Sequence, residues 1–297
     1  MKEMLKIEWK KAFFSKSFLA GLLLLTIFSF LSAVYMIENW SGYNPEHIYE
    51  FYMQNGEFIS NPILPVYSFF NAWLGGDTLS LANTMFFFFL PIGAALPYAW
   101  SFYTEQKCGY IKNIVTRTSR KNYYAAKGIA VFCSGAAVVF VPYVFNILLV
   151  TAYIPYYEPW AGYNLYNSVN FGTMWSDLFF RNPMLHMILY VLLNTLYGGI
   201  FALLSFSVSC FIKKMIPIIF TPFLAMLLCG YAETAIYERF FNEKLKFLEF
   251  IPTRFLHARA THYLTMGWAV VLVTMILLIC GVLPMMLAGR NKKDELH

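Results

Sequence analysis

The sequence predicts an all-α integral membrane protein. It has six transmembrane helices, an interfacial helix before the first, a short cytoplasmic helix after the second, and short outer helices between the fifth and sixth. Three observations predict this. Hydrophobic residues make up 59% of the 297 positions and charged residues 13%, where soluble domains carry about 25% charged residues. The charges are segregated, so that long stretches carry none. No stretch shows the period-2 alternation of a membrane barrel, and a helix alone then satisfies its backbone within lipid.

A helix needs about 20 largely apolar residues to cross about 30 Å of hydrocarbon. Six segments meet that length or approach it: 18–37, 79–102, 124–153, 183–212, 215–231 and 263–288. They form one transmembrane domain covering 1–297. Lysine and arginine placement sets the orientation. With the N-terminus in the cytoplasm, sixteen of the 22 basic residues fall on that side, including Lys2, Lys6, Lys10 and Lys11, the run from Lys107 to Lys127, and Lys213 and Lys214. Arg181, Arg239, Lys244, Lys246, Arg254 and Arg259 fall outside, and residues 38–77 hold no lysine or arginine. Both termini are therefore expected in the cytoplasm. The net charge of +6 is a consequence of topology and of attraction to anionic lipid, and it is not a nucleic-acid footprint.

Met1, Leu5, Trp9 and Phe13 recur every four residues, with Lys2, Lys6 and Lys10 beside them, which predicts a helix lying in the interface. The apolar run that follows exceeds a signal-peptide core and lacks an A-x-A site. The letters KDEL near the C-terminus are followed by His297 and lie on the cytoplasmic side, so they are not read as a retention signal.

The first outer loop, 38–77, is rich in aromatics. Trp40, Tyr43, Tyr49, Tyr52, Tyr67 and Trp73 are expected to form an interfacial belt, with a vestibule as the second reading. Lys213 and Lys214 alone separate the fourth and fifth spans, a tight hairpin. Between 233 and 262, apolar residues spaced by three and four predict a short amphipathic or re-entrant helix that ends near Pro252. Ala126, Ala130 and Ser134 give the third span a small-residue face for close helix contact.

No catalytic, cofactor or metal constellation is expected. There is no G-x-x-x-x-G-K-[ST] loop to cradle ATP, and no H-E-x-x-H. His257 and His262 are five apart, on different helix faces, and His47, His186 and His297 are scattered. The five cysteines avoid the outer loops, so no disulfide framework is available. Asn83, Asn146 and Asn194 lie within spans. Interhelical hydrogen bonding is their first reading and lining of a transport pathway the second. Glu233 is the acid closest to a membrane interior, a pathway candidate that the boundary position leaves solvated.

The remaining feature is the segment EQKCGYIKNIVTRTSRKNYYAAK, 105–127, with six basic residues between two apolar walls. Tyr110, Ile111, Ile114 and Val115 share one face of a short helix, with Lys112, Asn113 and Arg117 elsewhere. Ser119 is a candidate N-cap for the third span. Such a helix can lie on the membrane or insert its apolar face into a partner.

Glu105 and Gly109 as E-x-x-x-G, the apolar-basic helix, then Ser119-Arg120 and Lys127 resemble the first cytoplasmic loop of type-2 ABC exporter permeases. The layout of six spans, an interfacial helix and short outer helices resembles that family too. Arg117-Thr118 stands where the family usually has proline, and the first outer loop is longer. The resemblance implies a permease subunit in a bacterial plasma membrane and a dimer with a second copy or a paralogue. It also implies a separate ATPase subunit that uses the ATP. The helix at 110–115 is then the coupling helix, with Glu105, Gly109, Tyr110, Ile111, Ile114, Val115 and Arg117 at the docking site. The cargo class implied is an amphipathic peptide or hydrophobic compound, for export or self-immunity. The alternatives are a secondary transporter, or an exporter of lipid or drug.

Overall fold

The computed structural model describes residues 2–42, 68–116, 118–156, 158–159, 167–170, 172–240, 248–261 and 263–290, and among them the regular elements are helices. The first five are α1 Lys2–Phe13, α2 Lys16–Gly42, α3 Phe69–Ala72, α4 Leu81–Ala95 and α5 Ser101–Lys107. There follow α6 Tyr110–Val115, α7 Arg120–Tyr153, α8 Ser176–Arg181, α9 Pro183–Ser209, α10 Met215–Phe240, α11 Pro252–Phe255 and α12 Gly267–Arg290. Five of these (α2, α7, α9, α10 and α12) are long and apolar enough to cross a membrane. The chain is a multi-pass, all-helical membrane protein.

The second expected span differs from its sequence reading. The helix stops at Ala95, passes through turns at 96–100 and resumes at Ser101. Pro97 has no amide to donate to Gly93, and its ring crowds the preceding turn. Other groups take up two carbonyls there: Ser15 Oγ donates to Pro97 O at 3.4 Å, and Trp100 Nε1 to Leu96 O at 3.0 Å. The fifth expected span runs longer than read, to Phe240, because Glu233 does not interrupt a helix.

Helix starts follow local chemistry. The Ser80 hydroxyl accepts from Asn83 N at 3.0 Å to cap α4. Asn182 caps α9 by accepting from Leu185 N at 3.1 Å, with Pro183 at the first helical position. Ser119 occupies the N-cap position of α7 as read, but its side chain makes no capping bond. Pro252 opens α11 instead of ending a helix.

The centre of the bundle is the α7–α9 pair. Lipid offers little hydrophobic drive between helices, so close backbone approach carries the contact. A Cβ at Gly135 would lie 2.5 Å from the Ala202 Cβ and 2.8 Å from Gly198 O, so nothing larger than hydrogen fits there. The small-residue face read from the sequence is buried as expected, with Ala126, Ala130 and Ser134 all at 0% exposure.

Two cores mark the two ends of the bundle. One gathers Met4, Phe102, Ile114, Tyr123, Phe206 and Ala288, so α1, α6, the start of α7 and the ends of α9 and α12 share one end. The other holds Trp73, Phe86, Tyr143, Tyr190, Phe255 and Leu256 towards the opposite end.

Candidate functional site

The first site lies at the α1 end, where three elements bring charged side chains into the protein. The buried face of α1 is Met4, Glu8 and Ala12. It is not the expected Leu5 and Trp9 stripe, and Trp9 is exposed. The face one position back carries a glutamate because a partner awaits it. Lys127 on α7 is fully buried, as is Glu8. Lys127 Nζ donates to Glu105 Oε2 at 2.6 Å and to Glu8 Oε2 at 3.4 Å. Lys11 Nζ donates to Glu105 Oε1 at 3.1 Å and lies 3.5 Å from Glu8 Oε1. Tyr123 OH donates to Glu105 Oε2 at 2.5 Å, and Tyr98 OH to Glu8 Oε2 at 2.7 Å.

Two carboxylates thus face two ammonium groups, and the cluster is neutral as a whole. Lys127 also stands 4.9 Å from the Tyr98 ring centroid and Lys11 4.1 Å from that of Tyr110, placements that favour a cation over a ring face. Burial by itself would raise the Glu105 pKa, but Lys127, Tyr123 and Lys11 outweigh it and hold the carboxyl below its usual value. Burial would lower Lys11, but Glu105, Tyr110 and Glu8 outweigh it and raise it.

Directly after Glu105 comes α6. Gly109 precedes it with φ at +70° and open space around its missing Cβ. The cost of a side chain there is conformational alone. Gly109→Ala is expected to destabilise the turn by about 1–2 kcal/mol, with Gly109→Asn costing less. Unfolding of the purified variants by denaturant measures both.

Within the coupling face read from the sequence, Ile114 turns towards its own chain. That side chain is 8% exposed and packs into the core of its own bundle end, with Tyr110 and Ile111 half-buried against the same core. A short amphipathic helix covers the nearest apolar surface, and here that surface belongs to this chain. Lys112 and Asn113 form the exposed face. Arg117 lies outside the described residues, as does the side chain of Val115.

The opposite end is built around the stretch 68–80, buried except at Thr78 and Leu79, most of which the sequence reading placed in the aromatic outer loop 38–77. Trp73 is 1% exposed and packs against Tyr143. Tyr43, Tyr49, Tyr52 and Tyr67 lie outside the described residues, as do His47, His262 and His297. Of the three asparagines, Asn146 bonds to another span, while Asn83 and Asn194 bond to segments between spans. Asn146 Oδ1 accepts from Leu74 N at 2.8 Å and its Nδ2 donates to Ser29 O at 2.9 Å. Asn83 Nδ2 donates to Leu74 O at 2.7 Å and Asp77 O at 2.9 Å, and Asn194 Nδ2 to Leu256 O at 3.0 Å. All three are fully buried and fasten the segments around Leu74 and Leu256 to the spans.

Asp77 was missed by sequence reasoning. Its Oδ1 accepts from Leu79 N and Ser80 N, each at 2.9 Å, and its Oδ2 from the hydroxyls of Ser80 and of Ser32, the latter at 2.6 Å. The sequence signal was D-x-x-S, an acid able to bond the backbone two and three residues on. Residues 257–260 close over this stretch. Ala258 N donates to Gly75 O at 2.9 Å, Arg259 Nη1 to Asp77 O at 3.1 Å, and Ala260 N to Ser168 O at 2.8 Å. His257 lies with its ring centroid 3.6 Å from that of Phe87, and burial holds its imidazole well below the usual pKa. Glu233 is not solvated as expected, since its Oε2 lies 3.0 Å from Arg254 Nη1.

Among the described residues, no group of three His, Cys, Asp or Glu side chains is placed to hold a metal ion. Comparison with protein-family models, with curated proteins and with solved structures finds no match. The helices and the two polar clusters define a multi-pass membrane protein with a charged joint at one end and a hydrogen-bonded cap at the other.

Proposed function

We propose that this chain is the permease subunit of a type-2 ABC exporter in a bacterial plasma membrane. It crosses six times, the sixth crossing supplied by α4 and the turns after it as far as Phe102, with both termini and α6 on the cytoplasmic side where lysine and arginine concentrate. Two copies, or this chain and a paralogue, enclose the path. A separate ATPase subunit docks on α6 and supplies the energy, so this chain needs no phosphate loop. The cargo is an amphipathic peptide or hydrophobic compound, for export or self-immunity.

The observation that carries this reading is the mounting of α6. A six-residue helix has little stability alone. This one follows Glu105 by five residues, and Glu105 is tied through Lys127 and Lys11 to both α7 and α1. A push on α6 is therefore delivered to an ion cluster, with Glu8 and Lys127 fully buried in it, shared by two other helices. That is the property a transmission joint needs.

Affinity purification of the tagged chain from its own host is expected to bring down an ATP-hydrolysing subunit. Because Lys112 and Asn113 form the exposed face of α6, Lys112→Glu with Asn113→Glu should reduce that recovery by about tenfold or more, equivalent to about 1.4 kcal/mol or more, at unchanged permease level. Ile114→Asp is unsuited to this test because it places a charge in the permease's own core. Recovery undiminished in the double variant would show that α6 is not the docking helix.

A further inference from the structure

The cap carries charged groups that the transport reading does not use. Glu233 lies towards the end of α10, Arg254 on α11, and Glu249 on the stretch before it. Arg254 Nη1 stands 3.0 Å from Glu233 Oε2 and 3.7 Å from Glu249 Oε1, so two carboxyls converge on one guanidinium. Phe250 N donates to Glu233 Oε1 at 3.1 Å and Ile251 N to Glu249 Oε1 at 3.4 Å. Tyr237 OH donates to Leu248 O at 2.8 Å, and the Tyr237 ring packs edge-on to Tyr263. Glu249 is fully buried and its Oε2 meets no donor. The side chain of Glu238 and residues 241–247 lie outside the described residues.

Two buried carboxyls held against one cation are accommodated together when one of them holds a proton. Among the described residues a single guanidinium faces the two carboxyls, which leaves one negative charge over in a buried place. We propose that Glu233 and Glu249 form a proton-binding pair, and that loss of their shared proton loosens the cap formed by 248–261. A metal ion in the proton's place would sit beside the Arg254 guanidinium, so the arrangement favours the proton.

The electrostatics agree in sign. Burial first, and then the charge of Glu233, push the Glu249 carboxyl up to about 7, with Arg254 offsetting part of this. A carboxyl raised above its ordinary 4.5 makes the closed arrangement most stable at acid pH. That stability declines from about 4.5 upward and is spent once the pH passes about 7. Deprotonation leaves two like charges in contact, and moving the segment of Glu249 away from α10 relieves them. The same segment continues into the bonds from Ala258 to Gly75 and from Ala260 to Ser168, so the titration reaches the whole cap. This inference does not depend on what the chain transports.

Infrared difference spectroscopy on the full chain in lipid nanodiscs tests it. A protonated-carboxyl C=O band should be lost with a midpoint near pH 7, and Glu249→Gln should remove that band. Glu233→Gln is expected to move the midpoint down and Arg254→Met to move it up. If Glu249→Gln fails to fold, these opposite shifts carry the test. Hydrogen exchange at the amides of Glu249, Ala258 and Ala260, corrected for intrinsic rates, should rise several-fold between about pH 6 and about pH 8. The proposal is overturned if no such band titrates near neutral pH, if the two variants do not shift it in opposite directions, or if exchange in 248–261 is flat with pH.

Discussion

Replacing Lys127 with methionine is expected to destabilise the protein by about 3–5 kcal/mol, because it leaves Glu105 and the buried Glu8 carboxylate with Lys11 alone between them. Adding Glu8→Gln to Lys127→Met should recover part of that loss, since an amide can remain under Tyr98 where a lone charge cannot. Denaturant unfolding of the purified protein, and protease cleavage between α1 and α2, read the two effects. An unchanged midpoint for Lys127→Met would mean that water reaches and screens the cluster. The cluster also has a pH dependence of fixed sign. Glu105 is held below its ordinary 4.5, so its contribution is complete above that pH and is lost as the pH falls through its folded-state value. Docking of α1 should therefore weaken in acid, the reverse of the cap at the other end.

Asp77→Ala is expected to cost about 3–5 kcal/mol, because it orphans the buried Ser32 and Ser80 hydroxyls and the Ser80 amide together. Asp77→Asn should cost about 1 kcal/mol, since its carbonyl oxygen still accepts from both amides and its NH2 group can donate to the hydroxyls. Thermal unfolding and hydrogen exchange across 68–80 distinguish the pair. Equal losses in the two variants would show that the negative charge matters at Asp77, and not the acceptor geometry.

Much of the architecture was legible in the sequence for one physical reason: lipid enforces length and composition on a crossing helix. Pro183 to Ser209, Met215 onward and Gly267 onward followed their apolar runs, and the Ala126–Ala130–Ser134 face went into the interior as its size required. What escaped were the polar contacts between segments far apart in sequence. Lys127 reads as one more orienting cation until Glu8 and Glu105 are placed around it. Glu8 reads as the polar side of an interfacial helix until the buried face is seen to be its own. Trp73 and Asp77 fall in a stretch whose composition reads as a loop. Their burial depends on Asn146 and Ser32, which come from two different spans. The Glu105 and Lys127 positions were singled out from the sequence, but their direct pairing was not. Periodicity reports which side of a helix is apolar, and it is silent on which charge another helix will neutralise.

The separation of Glu8 from Lys127 has a consequence for how the chain is made. The two are 119 residues apart. At a synthesis rate of about 5–20 residues per second, Glu8 leaves the ribosome roughly 6–24 s before Lys127 exists. Throughout that interval Glu8 has only the part-exposed Lys11 of its own helix for a cation, so α1 has little reason to bury it while α2 inserts. Docking of α1 is thus among the later events of biogenesis. A nascent chain arrested before residue 127 should show Glu8 in water, and one arrested well beyond it should show Glu8 enclosed.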